Sequence, residues 1–222
     1  MSATYQRLLE RLDAWFAAVR ADVGDTIPCR SGCSACCHGP FDVSVADVAL
    51  LREGLSGLPA PIRSQVERRA HRLLDLVRAL EPAWSAPHEI AVIGEERFDR
   101  LSDALAAEPC PLLDAAGHCL AYAERPLVCR IMGLGVSTPA GRIIENDCPI
   151  QENFPKYAAL SPRPFALEAL EAEEDACLDD AARRLFGTSA YRDYETFIAA
   201  ALVDPLPHVD PGPPPEKALP RG

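Results

Sequence analysis

Eight of the nine cysteines in this chain fall into two groups. The first is the run CRSGCSACCH at residues 29–38, which places Cys29, Cys33, Cys36, Cys37 and His38 within ten positions. Thiolates are soft metal ligands. Gaps of three and then two residues between Cys29, Cys33 and Cys36 let one short irregular loop wrap them round a common centre, where a regular strand or helix would splay them apart. Gaps of two to four residues occur in zinc sites, and short runs of three cysteines also hold cubane iron–sulfur clusters, so the spacing admits both. Cys36 and Cys37 are neighbours, whose side chains tend to point apart, so one mononuclear zinc is not expected to take both. The pair could serve two centres, or one thiol could do redox or exchange chemistry. Four reduced, clustered thiols with no partner would be an oxidation hazard.

The second group lies in CPLLDAAGHCLAYAERPLVCRIMGLGVSTPAGRIIENDCP, residues 110–149, and consists of Cys110, Cys119, Cys129 and Cys148. Cys110 and Cys148 each precede a proline, which removes a backbone donor and fixes the chain direction beside the sulfur, as in ferredoxin-type runs. Eight thiolates suffice for two four-cysteine zinc sites, for one 4Fe–4S cluster with four to spare, or for a dinuclear centre with bridging sulfurs. His38 and His118 adjoin cysteines and are read as neighbours of the ligands, not as ligands. Arg125 and Arg130 flank Cys129 and either meet a carboxylate or solvent, or offset the charge of a thiolate-rich centre. Cys177 sits on the apolar face of a helical pattern and is read as core.

The rest of the composition limits what these groups can be. At 222 residues the chain is of single-domain size and can bury roughly 70% of the surface its unfolded form exposes. Its formal net charge is −11, with 22 Lys and Arg against 33 Asp and Glu, so a phosphate backbone is repelled and nucleic acid is not an expected partner. The opening MSATYQRLLERLDAWFAAVR carries charges every few residues and has no apolar run of signal-peptide or membrane length, which points to the cytosol and away from membranes. Thiols stay reduced there, and a chain this long needs no disulfide framework, so metal is the better reading of the cysteines.

Helical periodicity supplies the frame. Tyr5, Leu8, Leu9, Leu12, Trp15, Phe16 and Val19 predict a first helix stopped at Gly24. Ser44 with Asp47 predicts a capped helix through about Leu55, and Ile62 to Leu80 a longer one. The stretch EPAWSAPHEIAVIGEE breaks the period and is read as a loop or lid, before a helix marked by Phe98, Leu101 and Leu105. PLLD and HCLAY are expected to be short strands round a tight turn, Pro126 to open a short helix through Met132, and GVST-PAG-RIIE to form a second hairpin. Leu167 to Phe186 predicts a helix ending at Gly187, and Tyr191 to Leu202 another. From Asp204 the proline-rich DPLPHVDPGPPPEKALPRG is expected to be a disordered tail, leaving residues 1–203 as one domain. The expected class is α+β, mainly helical, with helices round a cysteine-rich loop and two small β-hairpins.

CRSGCSACC, followed by CPLLDAAGHCLAYAERPLVCR and a later CP, resembles the YkgJ-like cysteine-cluster family, a group of zinc- or iron-chelating domains. The resemblance spans about residues 25–150 and implies that Cys29, Cys33, Cys36, Cys37, Cys110, Cys119, Cys129 and Cys148 bind metal, with Tyr122, Arg125, Pro126 and Arg130 as supporting motif residues. Cys177 has no counterpart in that frame. The related flagellin lysine methylases carry a similar cluster and are associated with methyl transfer that depends on an iron–sulfur centre.

The favoured reading is a cytosolic metal-binding protein that holds zinc or iron, a 4Fe–4S cluster being one form of the latter. One alternative is an iron–sulfur enzyme resembling a protein lysine methyltransferase that uses S-adenosylmethionine. Against it, no Gly-rich cofactor loop follows an expected strand. Radical S-adenosylmethionine enzymes share the three-and-two spacing, but they need alternating strands and helices after the motif, which this sequence lacks. A further alternative is metal delivery, with Cys37 as an exchangeable thiol. The reading names a metal ion or cluster as partner and leaves any protein partner open.

Overall fold

The computed structural model describes residues 2–30, 32–146 and 148–207. Helix α1, Ala3–Val23, starts where the Ser2 hydroxyl accepts the Thr4 N–H, and it stops at Gly24, whose φ of 57° leaves the helix. Its buried residues Tyr5, Leu8, Leu9 and Leu12 repeat at three and four, as a one-sided helix requires. A short strand β1, Asp42–Ser44, runs straight into α2, Val45–Gly57, where Ser44 caps by accepting the Asp47 N–H. Helix α2 is buried on most sides and packs against two helices from the last quarter of the chain. Helix α3, Ala60–Leu80, turns Val66, Ala70, Leu73, Leu74 and Val77 inward.

Two shorter helices come next, α4, Ile90–Ile93, and α5, Glu95–Ala104. The preceding stretch is a packed loop. Trp84 and His88 are both buried, the Trp84 indole N–H donates to the Glu89 carbonyl, and His88 donates from Nδ1 to the Asp204 carboxylate at 2.5 Å. The ring of Phe197 lies 5.6 Å from that of Trp84. Asp204, at the start of the proline-rich segment, is thus buried within the fold, whereas residues 208–222 of the expected tail lie outside the described residues.

After a long irregular stretch come α6, Leu127–Ile131, and the hairpin of β2, Val136–Ser137, with β3, Ile143–Ile144. Then follow α7, Pro155–Ala158, and β4, Arg163–Pro164, which pairs parallel to β2. Helix α8, Leu167–Phe186, ends on the left-handed Gly187. The chain then forms β5, Glu195–Phe197, antiparallel to β1, and α9, Ile198–Val203, whose first five residues are all buried. The class is α+β and mainly helical, as expected, and no helix among the described residues is long and apolar enough to cross a membrane.

Several elements differ from expectation, among them the short helix α4, which lies within the stretch expected to be a loop or lid. The segment 111–122 forms turns with a single bridge between Leu113 and Cys119, not two strands. Asp114 explains this, because its carboxylate accepts the N–H groups of both Ala116 and His118 at 2.8 Å and so folds the chain into a side-chain-closed turn. The expected helix over 191–202 starts only at Ile198. Thr196 and Phe197 favour extended backbone, pairing with β1 satisfies their ladder, and the Thr196 hydroxyl donates to the His88 carbonyl at 2.9 Å.

One buried carboxylate joins three elements. Asp47 on α2, 3% exposed, accepts from the Tyr5 hydroxyl of α1 at 2.7 Å and from the Leu127 N–H at the start of α6 at 3.1 Å. Burial pushes its pKa up to about 6 against the pull of these bonds, so removing the charge costs less than removing the acceptor. Asp47→Ala, which strands the phenol and the amide, is expected to lower stability by about 2–4 kcal/mol in urea unfolding. Asp47→Asn keeps an acceptor oxygen and is expected to stay within about 1 kcal/mol of the parent at pH 7. The native carboxyl keeps its proton up to about pH 6, whereas the unfolded one loses it near ~3.9. The cost of burying the charge is therefore fully present above pH 6 and fades as pH falls between those values. The parent should gain stability relative to Asp47→Asn as pH falls through the same window.

Candidate metal centre

The first cysteine run leaves the helical frame at a single 3-10 turn, Gly24–Thr26, and is anchored by the buried side chain of Ile27. Beyond it the backbone is held by turns, Cys33 N–H to the Arg30 carbonyl at 2.8 Å and Cys37 N–H to the Ser34 carbonyl at 2.9 Å. Three pairings then fasten the end of the run to the segment leading into the second group. His38 bridges Pro109, Gly39 N–H donates to the Glu108 carbonyl at 2.7 Å, and Cys110 N–H donates to the Cys37 carbonyl at 2.9 Å. The Ser102 hydroxyl of α5 holds the Pro40 carbonyl at 2.8 Å. Residues far apart in sequence therefore run side by side at Cys37 and Cys110.

The Cys36 and Cys37 thiols lie against one another, in hydrogen-bonding contact. Adjacent side chains diverge in an extended chain, but here the turn closed by Cys37 N–H and the Ser34 carbonyl folds the backbone and brings both sulfurs to one side.

Around the second group, α3 supplies a clamp. The Arg69 guanidinium donates to the carbonyls of Leu113 at 2.7 Å and Pro111 at 3.3 Å, fixing the loop that follows Cys110. Gly54 of α2 lets the chain beyond Cys119 approach closely, since a Cβ there would meet Glu124 Cβ at 2.8 Å and Ala121 Cβ at 3.4 Å. Cys129 rides on α6, a helix of five residues held at one end by Asp47 and at the other by Arg130. Arg130 is 5% exposed and donates to Asp13 of α1, to the Arg125 carbonyl at 3.0 Å and to the Ala123 carbonyl at 2.6 Å. Arg125 pairs with the same Asp13 and covers the ring of the exposed Tyr122 at 4.1 Å. Both arginines thus meet a carboxylate, and Arg125 also favours the charged form of Cys119.

Cys29 and Cys148 both pack against a second apolar cluster of Ile27, Leu134 and Tyr157. Tyr157, on α7 and fully buried, donates its hydroxyl to the Gly133 carbonyl at 2.6 Å and contacts the Cys148 thiol. Gly133 has a φ of 99°, and a Cβ there would stand 2.8 Å from the Cys29 sulfur, so only glycine fits between the two.

Burial dominates the electrostatics of most of these thiols. It pushes Cys29 up to about 11, with Cys33, Cys148 and Cys36 adding to it. Cys36 is raised far above the usual thiol range, first by its contact with Cys37 and then by burial. Burial carries Cys110 up to about 12, with a contribution from Cys119. It also raises Cys129, reinforced by Cys110, Asp47, Cys119 and Cys36. A metal ion must therefore displace protons on binding.

Among the described residues no three or more His, Cys, Asp or Glu side chains are arranged to hold a metal ion. What the site offers a metal is the chemistry of its donor set. The two groups supply eight sulfurs, all partly buried, with the exposed imidazole of His118 next to Cys119 in the chain. Zinc and iron are the ions that such a set suits, and oxygen-preferring cations are not. Cys177 stands apart. It is buried on α8, and the groups that act on it are Glu174, Asp180 and Glu173 of its own helix and Arg7 of α1, none of them a cysteine.

Sequence reasoning did not single out Arg69, Asp13, Tyr157 or Gly133. Each acts on a partner more than 20 positions away, or holds a backbone group, and neither leaves a spacing pattern to read. No curated protein and no solved structure matches the chain. A family model does match, over residues 28–177, which extends past the expected frame and takes in all nine cysteines. The first gap in this chain is three residues where the family's motif name has two. With well over half its length matched, the chain belongs to the CxxCxxCC family, described as "Putative zinc- or iron-chelating domain".

Proposed function

We propose that this protein binds zinc or iron through the thiolates of Cys29, Cys33, Cys36, Cys37, Cys110, Cys119, Cys129 and Cys148, and that a 4Fe–4S cluster is the form in which iron would be held. The observation that carries this reading is the juxtaposition of the two cysteine groups. The Cys110 amide is bonded to the Cys37 carbonyl, and Cys36 acts on both Cys29 and Cys129, although these positions span a hundred residues of chain. A bound ion supplies sulfur–metal bonds that cross-link segments with little regular structure. Tyr157, Arg69 and Arg130 hold those segments in place by their own hydrogen bonds. Cys177 is core.

Anaerobic purification without a metal-binding tag, followed by elemental analysis, acid-labile sulfide and an absorption spectrum on one sample, is expected to give stoichiometric zinc, or iron with sulfide and a broad band near roughly 400 nm. Protein free of both metals would overturn the proposal. Cys177→Ser is expected to retain the full metal content.

A chelator is expected to raise the rate of proteolytic cleavage within 28–41 and 106–165 while the far-ultraviolet signal of the long helices persists. Equal protection with and without chelator would count against a metal in those segments. Gly133→Ala forces a left-handed residue with a side chain against the Cys29 sulfur, which costs about 1–2 kcal/mol from the backbone alone. It should lower the metal content of the purified protein, measured beside Gly141→Ala, where a Cβ meets nothing within 4 Å but φ is equally positive at 84°.

A further inference from the structure

Most arginines of this chain are spent within the fold. Arg125 and Arg130 share Asp13, and Arg11, Arg97, Arg142 and Arg192 each meet a carboxylate. Arg68 and Arg72 of α3 do not. Both are exposed, and among the described residues neither has an ion pair or a side-chain hydrogen bond.

The two stand one helical turn apart on the side of α3 opposite the buried Val66, Ala70, Leu73 and Val77, at the middle of its outward face. Carboxylates that could have reached them are engaged elsewhere. Asp75, three positions beyond Arg72, accepts from Arg78 at 2.8 Å, and Glu67 lies 4.0 Å from Arg63. Like charges one turn apart weaken a helix, so the pair does nothing for α3 itself. Five arginines against Glu67 and Asp75 leave this helix with a local excess of positive charge, in a chain whose formal net charge is −11. At physiological ionic strength the Debye length is about 8 Å, so a group seated on the helix feels these arginines more than the carboxylates elsewhere. Arg69, between them in sequence, lies on the flank of the same helix and holds the Pro111 and Leu113 carbonyls. The outward face therefore belongs to the helix that braces the chain after Cys110.

We propose that the outward face of α3, centred on Arg68 and Arg72, is a docking surface for an acidic segment of a partner protein. Four residues of helix advance about 6 Å, so the partner presents two carboxylates at that spacing. Acidic residues four apart on a helix or two apart on a strand supply it. Each planar guanidinium can take a carboxylate through two hydrogen bonds. A nucleic acid fits less well, because its phosphates continue past the two arginines and meet the surface of an acidic chain. The surface requires no bound metal, so it stands or falls apart from the metal-binding reading.

The test is fluorescence anisotropy at low ionic strength, with the full chain titrated into a labelled alanine-based helical peptide that carries glutamate pairs four positions apart. Saturable binding is expected, and it should weaken as salt is added. Arg68→Glu with Arg72→Glu is expected to weaken it about tenfold or more. Arg7→Glu with Arg20→Glu makes the same charge change at exposed positions of α1 and should leave the affinity near that of the parent. Circular dichroism checks that both variants keep the parent's helix content. A peptide that does not bind overturns the proposal, as does a glutamine counterpart that binds equally well. Equal weakening by the two double variants also overturns it, since net charge alone would then be at work. A labelled single-stranded oligonucleotide that binds more tightly than the peptide, and is lost in the α3 variant, would assign the face to nucleic acid and overturn it as well.

Discussion

The Asp47 carboxylate sits where the helical frame meets the cysteine-bearing chain, and the geometry on both sides depends on it. One oxygen takes the Tyr5 hydroxyl of α1 and the first amide of α6, so a single buried acceptor fixes the relation of three helices. Helix α6 has five residues, far below the length at which a helix persists by its own hydrogen bonds, and it carries Cys129. Without Asp47 at one end and Arg130 at the other, nothing local would aim that sulfur. The raised pKa of Asp47 shows that burying this charge is unfavourable in itself, and that the position is held by what it connects.

The molecule accordingly has two kinds of order. Helices α1, α2, α3, α8 and α9 bury apolar faces in one continuous core. The stretches 28–41 and 106–165 bury little of their own. They are held by backbone pairings such as Gly39 with Glu108, by turns such as that closed by Asp114, and by long side chains, Arg69 reaching in from α3 and Arg130 reaching out from α6 to Asp13 of α1. Fixing irregular backbone costs roughly 1–2 kcal/mol per residue, and few apolar contacts offset it there. Metal–sulfur bonds are the interaction best suited to make up the difference, because their free energy becomes available only when those segments are ordered.

This division also explains what could be read from the sequence. The boundaries of α1, α2, α3 and α8 followed from periodicity, the Ser44 cap and the stops at Gly24 and Gly187, all of them local signals. The hairpin at 136–144 was legible from its turn residues. Strand β5 was not, because three residues give no period and only the pairing with β1, some 150 positions earlier, makes them a strand. The cysteine groups were plain as composition, but the contact of the Cys36 and Cys37 thiols depends on a turn, and Tyr157 is tied to Gly133 and Cys148 by folding alone. Local rules fail most where tertiary bonds do the positioning, which is where the sulfurs are.

On the metal-binding reading proposed above, charge balance gives the arginines a role. A divalent ion held by four thiolates keeps two negative charges, in a chain whose formal net charge is already −11. Asp13 is shared by Arg125 and Arg130, so the trio carries one positive charge in excess, and it sits beside the loop of Cys119 and the helix of Cys129. Arg130 is almost wholly buried, and its remaining donors are spent on carbonyls of the same segment. It therefore supports the cysteine-bearing loop as a hydrogen-bonding strut, and in the proposed metal-bound form it would also be a countercharge. A lysine in its place could supply the charge, but its three donors could not reproduce the planar fork that spans Asp13, Ala123 and Arg125 together.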